Sequence, residues 1–155
     1  MPNEGVLIKM TIRKATFEET QQILNYHMEV MKEATMGFVK PSRDKVMQFM
    51  APFLEGGGYY LVRIQDHFIH GWVGIGKTVD QNTDELIGFI NEMYVLPPFR
   101  NQGVGEKLCR AACKQLKAEG YKKVQLNVYA GNHAKNLYHK LGFQDVSTLM
   151  TRNLG

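Results

Sequence analysis

The chain has 155 residues, 44% hydrophobic and 22% charged, enough for one ordinary globular core over residues 1–155. Its formal net charge is +4, which suits an anionic ligand but is too small to argue for nucleic acid, and no aromatic-basic platform or helix-turn-helix pattern supports that partner. No apolar run reaches membrane-spanning length and the N-terminus lacks the parts of a signal peptide, so a cytoplasmic chain with no membrane partner is expected.

Residues 6–14 read as a first strand, with residues 1–9 a loose extension because Met10 would itself make a natural start. Thr16 followed by Glu19 is a capping box that opens a helix through about Ala34. A connector containing Gly37 follows. Ser42 caps a second helix to about Ala51, where Pro52 is expected to interrupt it. Residues 59–64 and 68–79 form a hairpin about the turn Gln65-Asp66-His67, and residues 86–95 form the next strand. The helix after Gly103 runs to about Glu119, with Leu108, Cys109, Ala112, Cys113 and Leu116 on one face. The two cysteines read as buried thiols, since no zinc-type spacing accompanies them and no metal is expected. Val124, Leu126 and Val128 alternate with polar or aromatic neighbours, giving a strand over 124–129. Asn132 caps a short helix carrying Leu137, Tyr138 and Leu141, and a last strand is expected over 143–152. Late strand–helix–strand units and a central hairpin make the sheet mixed.

The segment Val95-Leu-Pro-Pro-Phe-Arg100-Asn-Gln-Gly103-Val-Gly105 joins an apolar strand to a helix. The first turn of a helix carries unpaired N–H groups and the positive end of the macrodipole. Gly103 and Gly105 would leave room for a phosphate, and Arg100 would add a fixed charge. A triphosphate loop would need Gly-Lys-Ser/Thr, where this chain has Gly105-Glu106-Lys107. A dinucleotide fingerprint would need glycine where Leu108 stands. A tight strand-to-helix turn with no ligand is the remaining alternative.

The neighbouring residues weigh against the empty turn. The segment resembles the Arg/Gln-x-x-Gly-x-Gly/Ala signature of the GCN5-related N-acetyltransferase (GNAT) superfamily, which follows a strand ending in Val-x-Pro. A second signature of that family is similar to Asn132-His-Ala-Lys-Asn-Leu-Tyr138-His-Lys-Leu-Gly142-Phe143. The opening Ile12-Arg13-Lys14-Ala15-Thr16 also looks like the family's first strand. The close resemblance covers about residues 86–143, and the element order matches throughout. It implies an α/β fold with a mixed, mostly antiparallel sheet, a splayed parallel strand pair and four flanking helices.

The resemblance also implies a reaction: an acetyl group moves from acetyl-CoA to a primary amine by direct attack in a ternary complex, with no metal. Backbone groups around Val95 would pair with the pantetheine arm. Arg100, Asn101, Gln102, Gly103, Val104, Gly105 and Glu106 would hold the pyrophosphate, and Asn132 would bond the arm while capping its helix. Lys107 and Arg110 either reach the nucleotide phosphate or form a solvated basic face. Tyr138 is the family's usual proton donor to the leaving thiolate. An ordinary tyrosine (~10) facing a thiol (~8.5) makes full transfer uphill by about 2 kcal/mol, so hydrogen-bond donation is the expected role. The family commonly places its base four or six residues before the valine, here Asn91 and Phe89. Glu92 is one residue off, so it acts as base only if a bulge re-aims it; otherwise it is a paired or solvated carboxylate and ordered water carries the proton.

The acceptor wall is expected from Thr35, Met36, Gly37, Phe38 and residues 144–148, with Tyr26, His27 and Glu29 nearby. His67 and His70 are expected at the surface or in the hairpin. Dimers are common in the family, so a homodimer is among the expected states. A non-catalytic acyl-CoA sensor of the same fold is the rival reading, and the joint presence of Tyr138 and the phosphate turn argues against it.

Overall fold

A computed structural model describes residues 10–155. Its elements are β1 (Thr11–Lys14), α1 (Phe17–Asn25), α2 (His27–Ala34), α3 (Arg43–Glu55), β2 (Tyr59–Gln65), β3 (Phe68–Val79), β4 (Leu86–Val95), a 3-10 turn (Pro97–Phe99), α4 (Val104–Ala118), β5 (Val124–Leu126) and α5 (Ala134–Lys140). The sheet runs β1-β2-β3-β4-β5, antiparallel up to β4 and parallel between β4 and β5. This is the mixed, mostly antiparallel α/β architecture expected.

Alternation along the strands separates two cores. Leu61, Val73, Ile75 and Ile90 pack with Val104, Leu108, Cys109, Ala112 and Leu116 of α4 and with Tyr138 of α5. On the other face Tyr60, Val62, Trp72 and Tyr94 pack with Ile23, Val30, Met31, Val46 and Met50 of α1 to α3. Each aliphatic side chain buried in this way contributes on the order of 1.5–3 kcal/mol.

Local chemistry sets the element ends. Thr16 Oγ1 accepts the Glu19 N–H while the Glu19 carboxylate accepts the Thr16 N–H, completing the capping box. Arg13 adds hydrogen bonds of 2.7 and 2.9 Å to the same carboxylate, tying β1 to α1. The Arg13 hydrogen bond is the main reason the Glu19 carboxyl is lowered to about 2. The β2–β3 hairpin closes through Asp66 and His67, whose φ values of 49° and 66° are the paired positive dihedrals a two-residue turn requires.

Several expectations are corrected. The first helix is two: at Tyr26 the backbone N–H bonds to Ile23 O, three residues back, and the axis restarts as α2. Among the described residues five helices therefore accompany the sheet, where four were expected. Pro52 sits inside α3 without ending it, since one lost N–H near the last turn is tolerated and Gly56 N–H still reaches Pro52 O. β5 stops at Leu126 rather than at 129. Residues 143–155 form no strand, and Val146, Leu149 and Met150 are exposed. A strand requires a partner for its N–H and C=O groups, and among the described residues none lies alongside this segment. The expected first strand is seen as Thr11–Lys14; residues 6–9 of it, and the expected extension over 1–9, lie outside the described residues.

Two irregularities in β4 open the sheet at one end. Its pairing with β3 skips Asn91, because Gly74 faces Glu92 while Ile75 faces Ile90. Its pairing with β5 covers only Gly88–Val124, Phe89–Gln125 and Ile90–Leu126. Beyond Ile90 the two parallel strands separate.

Candidate active site

The separated ends of β4 and β5 define the site, and the turn after β4 closes one end. Asn101 and Gly103 both have positive φ, 62° and 77°. A Cβ on Gly103 would meet nothing within 4 Å, so dihedral preference rather than crowding selects glycine there. A Cβ on Gly105 would lie 3.4 Å from both Leu137 Cδ2 and Met93 Cε, at ordinary contact distance, so a side chain larger than alanine's would press on α5 and β4. Of the two glycines, only Gly103 faces open space.

Lys107 N–H makes the first turn-closing bond of α4, to Gly103 O at 3.2 Å. The N–H groups of Val104, Gly105 and Glu106 thus precede any helical acceptor. The Glu106 carboxylate, the acidic group of this first turn, is paired with Arg110 at 3.2 Å and Lys140 at 3.4 Å, which lower its pKa. Its charge is offset beside the helix N-terminus. Gln102 Nε2 donates to Pro98 O at 3.2 Å and braces the turn. These features fit a pyrophosphate bound through backbone donors.

Arg100 is placed otherwise than expected. Its Nε donates to Val95 O at 2.8 Å and its NH2 to Glu33 Oε2 at 2.8 Å, and its guanidinium lies 5.1 Å from the Tyr94 ring centre. Tyr94 OH donates to the other Glu33 oxygen at 2.9 Å. The guanidinium is therefore committed to tying the end of β4 to α2, and a partner carboxylate already balances its charge.

Asn132 occupies the facing rim. The N-cap position of α5 is His133, not Asn132 as expected; Asn132 stands one residue earlier, where its Oδ1 accepts the Ala134 N–H at 3.0 Å and its Nδ2 donates to Ala34 O at 3.2 Å. The loop after β5 is thus fastened to the end of α2. Phe38 stacks on Tyr129 with ring centres 6.0 Å apart, and Met36 approaches Gly131. Part of the expected acceptor wall, residues 36–38, therefore lies against the β5 side. Residues 144–148 are exposed instead, and Asp145 pairs with Lys135 and His139.

Tyr138 sits on the α4–α5 face, 8% exposed, with its ring 5.7 Å from that of Phe143. Burial is the main cause pushing its pKa up to about 12. Against a thiol near 8.5, complete proton transfer would then be uphill by about 5 kcal/mol.

Glu92 faces the opposite side. The skipped Asn91 turns it toward α2, where its Oε1 lies 2.6 Å from His27 Nε2 and accepts the Tyr60 hydroxyl at 2.6 Å. Asn91 itself points to Met50, its Nδ2 lying 3.8 Å from Sδ. Burial and the neighbouring carboxylate push the Tyr60 hydroxyl far above the ordinary tyrosine range, so it remains a donor. Sequence reasoning passed over Tyr60, Tyr94 and Glu33, whose partners lie 32, 61 and 67 residues away in the chain. Of the two places expected for His70, the hairpin holds: it lies on β3, where it is buried and stacks on Phe99 with ring centres 3.6 Å apart.

Comparison with known proteins places these features in context. The family model described as "Acetyltransferase (GNAT) family" matches residues 24–143. The chain is 27% identical to an uncharacterized N-acetyltransferase of Bacillus subtilis, YycN, over 60% of this chain and 59% of that one. It is 27% identical to another, YjgM of Escherichia coli, over 87% of this chain and 82% of that one. Among solved structures, a predicted acetyltransferase of Clostridium acetobutylicum with acetyl-CoA superimposes with a TM-score of 0.70 at 19% identity, covering 94% of this chain and 97% of that one. The aminoglycoside 6'-N-acetyltransferase of Acinetobacter haemolyticus does so with a TM-score of 0.69 at 20% identity, covering 94% and 99%.

Proposed function

We infer the reaction from one premise: the chain belongs to the acetyltransferase (GNAT) family. We propose that it transfers an acetyl group from acetyl-CoA to a primary amine of a small molecule or peptide, by direct attack within a ternary complex. The observation that carries this reading is that Glu92, on β4 beyond its pairing with β5, and Tyr138 lie on opposite faces of the sheet. A group able to take a proton and a group able to give a hydrogen bond would then act from its two sides.

Bound there, acetyl-CoA supplies an acetyl group activated as a thioester. The N–H groups at the start of α4 hold the pyrophosphate, with Asn101 and Gly103 setting the turn. Backbone donors near Val95 polarise the thioester carbonyl as charge builds on its oxygen. Asn132 keeps the rim of the gap in place through its bonds to Ala134 and Ala34.

On the α2 side, Glu92 accepts the proton of the incoming ammonium, and the freed amine attacks the carbonyl carbon. The C–N bond forms, the C–S bond breaks, and the second proton of the attacking nitrogen passes through solvent to the departing thiolate. On the α5 side, Tyr138 donates a hydrogen bond to the departing sulfur. Its high pKa makes it a stabiliser of the thiolate rather than the final source of its proton.

The protein that carries acetyl-CoA in the Clostridium structure and the aminoglycoside acceptor named for the Acinetobacter enzyme support the donor and the amine class. Incubation with acetyl-CoA and a panel of amines, read by free thiol, tests the proposal. Amine-dependent thiol release is expected; binding of acetyl-CoA with no release from any amine would assign the fold to a sensor.

A further inference from the structure

Glu92 is held by two side chains that the reaction does not directly use. His27 opens α2 and is 4% exposed; Tyr60 lies on β2 and is 1% exposed. Both bond the same oxygen, Glu92 Oε1, at 2.6 Å, and the two partners are themselves 3.3 Å apart. His27 Nδ1 is buried with no partner among the described residues. Packing alone does not explain this ring, because an aliphatic side chain would fill the same space without an unpartnered nitrogen.

The backbone is shaped around the cluster. Gly74 of β3 faces Glu92, and a Cβ on it would come within 3.1 Å of Tyr60 Cε1 and 3.2 Å of Phe53 Cζ. The missing side chain is the space through which the Tyr60 ring crosses β3 toward Glu92. Phe53 meets Tyr60 edge-on with ring centres 5.6 Å apart, fixing the ring from α3. On β4 the bulge at Asn91 turns Glu92 to this face. The break at Tyr26 starts a new helix at His27. Three backbone irregularities thus converge on one carboxylate oxygen.

We propose that His27, together with Tyr60, is a positioning residue for Glu92: the pair fixes Oε1 in place and leaves Oε2 to receive the proton of the acceptor amine. This rests on the reading of Glu92 as the base. The groups that face the carboxylate are His27 from α2 and Tyr60 from β2; β3 contributes Gly74, and α3 contributes the apolar Met50 and Phe53 nearby. Two hydrogen bonds on one oxygen fix the direction in which the other oxygen points.

The test joins amine-acetylation kinetics to proton–nitrogen NMR of the His27 ring in the full chain. The His27 Nε2–H proton should appear downfield, as expected of a donor to a carboxylate, and should move upfield in Glu92→Gln. Tyr60→Phe removes one donor with little change of volume and should lower kcat about threefold to tenfold. His27→Ala should lower kcat about tenfold, with acceptor KM within about threefold. His27→Gln, whose amide can still donate, should recover at least half of that loss. A His27 ring proton that is unchanged in Glu92→Gln, or a His27→Gln protein no better than a folded His27→Ala, would overturn the proposal. If His27→Ala does not fold, the ring proton and the other two variants decide. Should the wild type acetylate no amine, the proposed function fails, while the ring proton still decides whether His27 holds the carboxylate.

Discussion

The two sides of the gap are built by different means. On the α4 side, the groups proposed to bind are backbone N–H donors presented by a contiguous turn, with Gly103 supplying a positive dihedral. On the α2 side, the groups proposed to act are side chains from α2, β2 and β4 that meet only in the folded chain. The first construction would recognise a phosphate whatever the acceptor is, because main-chain donors tolerate many side chains around them. The second is rebuilt whenever one residue changes, and so it can be tuned to an acceptor.

Substitutions on the two sides should therefore fail differently. The largest effect is expected for Glu92→Gln, with turnover at neutral pH reduced ~10²–10⁴-fold and acetyl-CoA affinity preserved, as measured by steady-state kinetics and direct binding. Wild-type turnover in that variant would hand the proton to water. Tyr138→Phe should lower turnover by about 10- to 100-fold, the worth of one hydrogen bond to a developing charge. Its acetyl-CoA affinity should again hold; a loss of affinity with unchanged turnover would make Tyr138 a core residue alone.

Backbone substitutions sharpen the contrast through stability. Gly105→Val places a branched side chain against Leu137 and Met93 and should destabilise by about 1–3 kcal/mol in denaturant melts. Gly103→Ala meets open space but keeps a positive φ, so a loss of about 1 kcal/mol is expected. If the two variants are equally stable, the distinct roles of the glycines are wrong.

The smallest effect lies away from the gap. The Glu19 carboxyl is held at about 2, below its unfolded value. The stability it contributes is present above the ordinary carboxylate range and is lost as pH falls toward 2. The melting temperature of the wild type should drop more steeply than that of Glu19→Gln between about pH 5 and 2. Parallel slopes would remove the Arg13–Glu19 link from the stability of the fold.

The same contrast explains what could be read from the chain alone. The turn from Val95 to Gly105 and the helix around Tyr138 are local patterns, so their backbone course is legible in the sequence. β3, β4 and the apolar stripe of α4 are legible from alternation and helical periodicity. The break at Tyr26 is not, because no proline or glycine marks it and burial of His27 depends on distant partners. The bulge at Asn91 is a property of the β3–β4 register, which neither strand declares alone. The last strand is misread because residues 143–152 have strand-like composition but no pairing partner among the described residues. The setting of the Arg100 guanidinium is not legible, because its partner Glu33 lies 67 residues away.

The central claim is that this gap joins a thioester donor to an amine, with Glu92 and Tyr138 acting from opposite faces. Thiol release over an amine panel, with the acetylated product identified by mass spectrometry for wild type, Glu92→Gln and Tyr138→Phe, tests it most directly. Stoichiometric thiol and acetyl-amine from the wild type, sharply reduced in both variants with acetyl-CoA still bound, is the expected result. Acetyl-CoA binding without amine-dependent thiol release, or equal turnover in all three proteins, would contradict it.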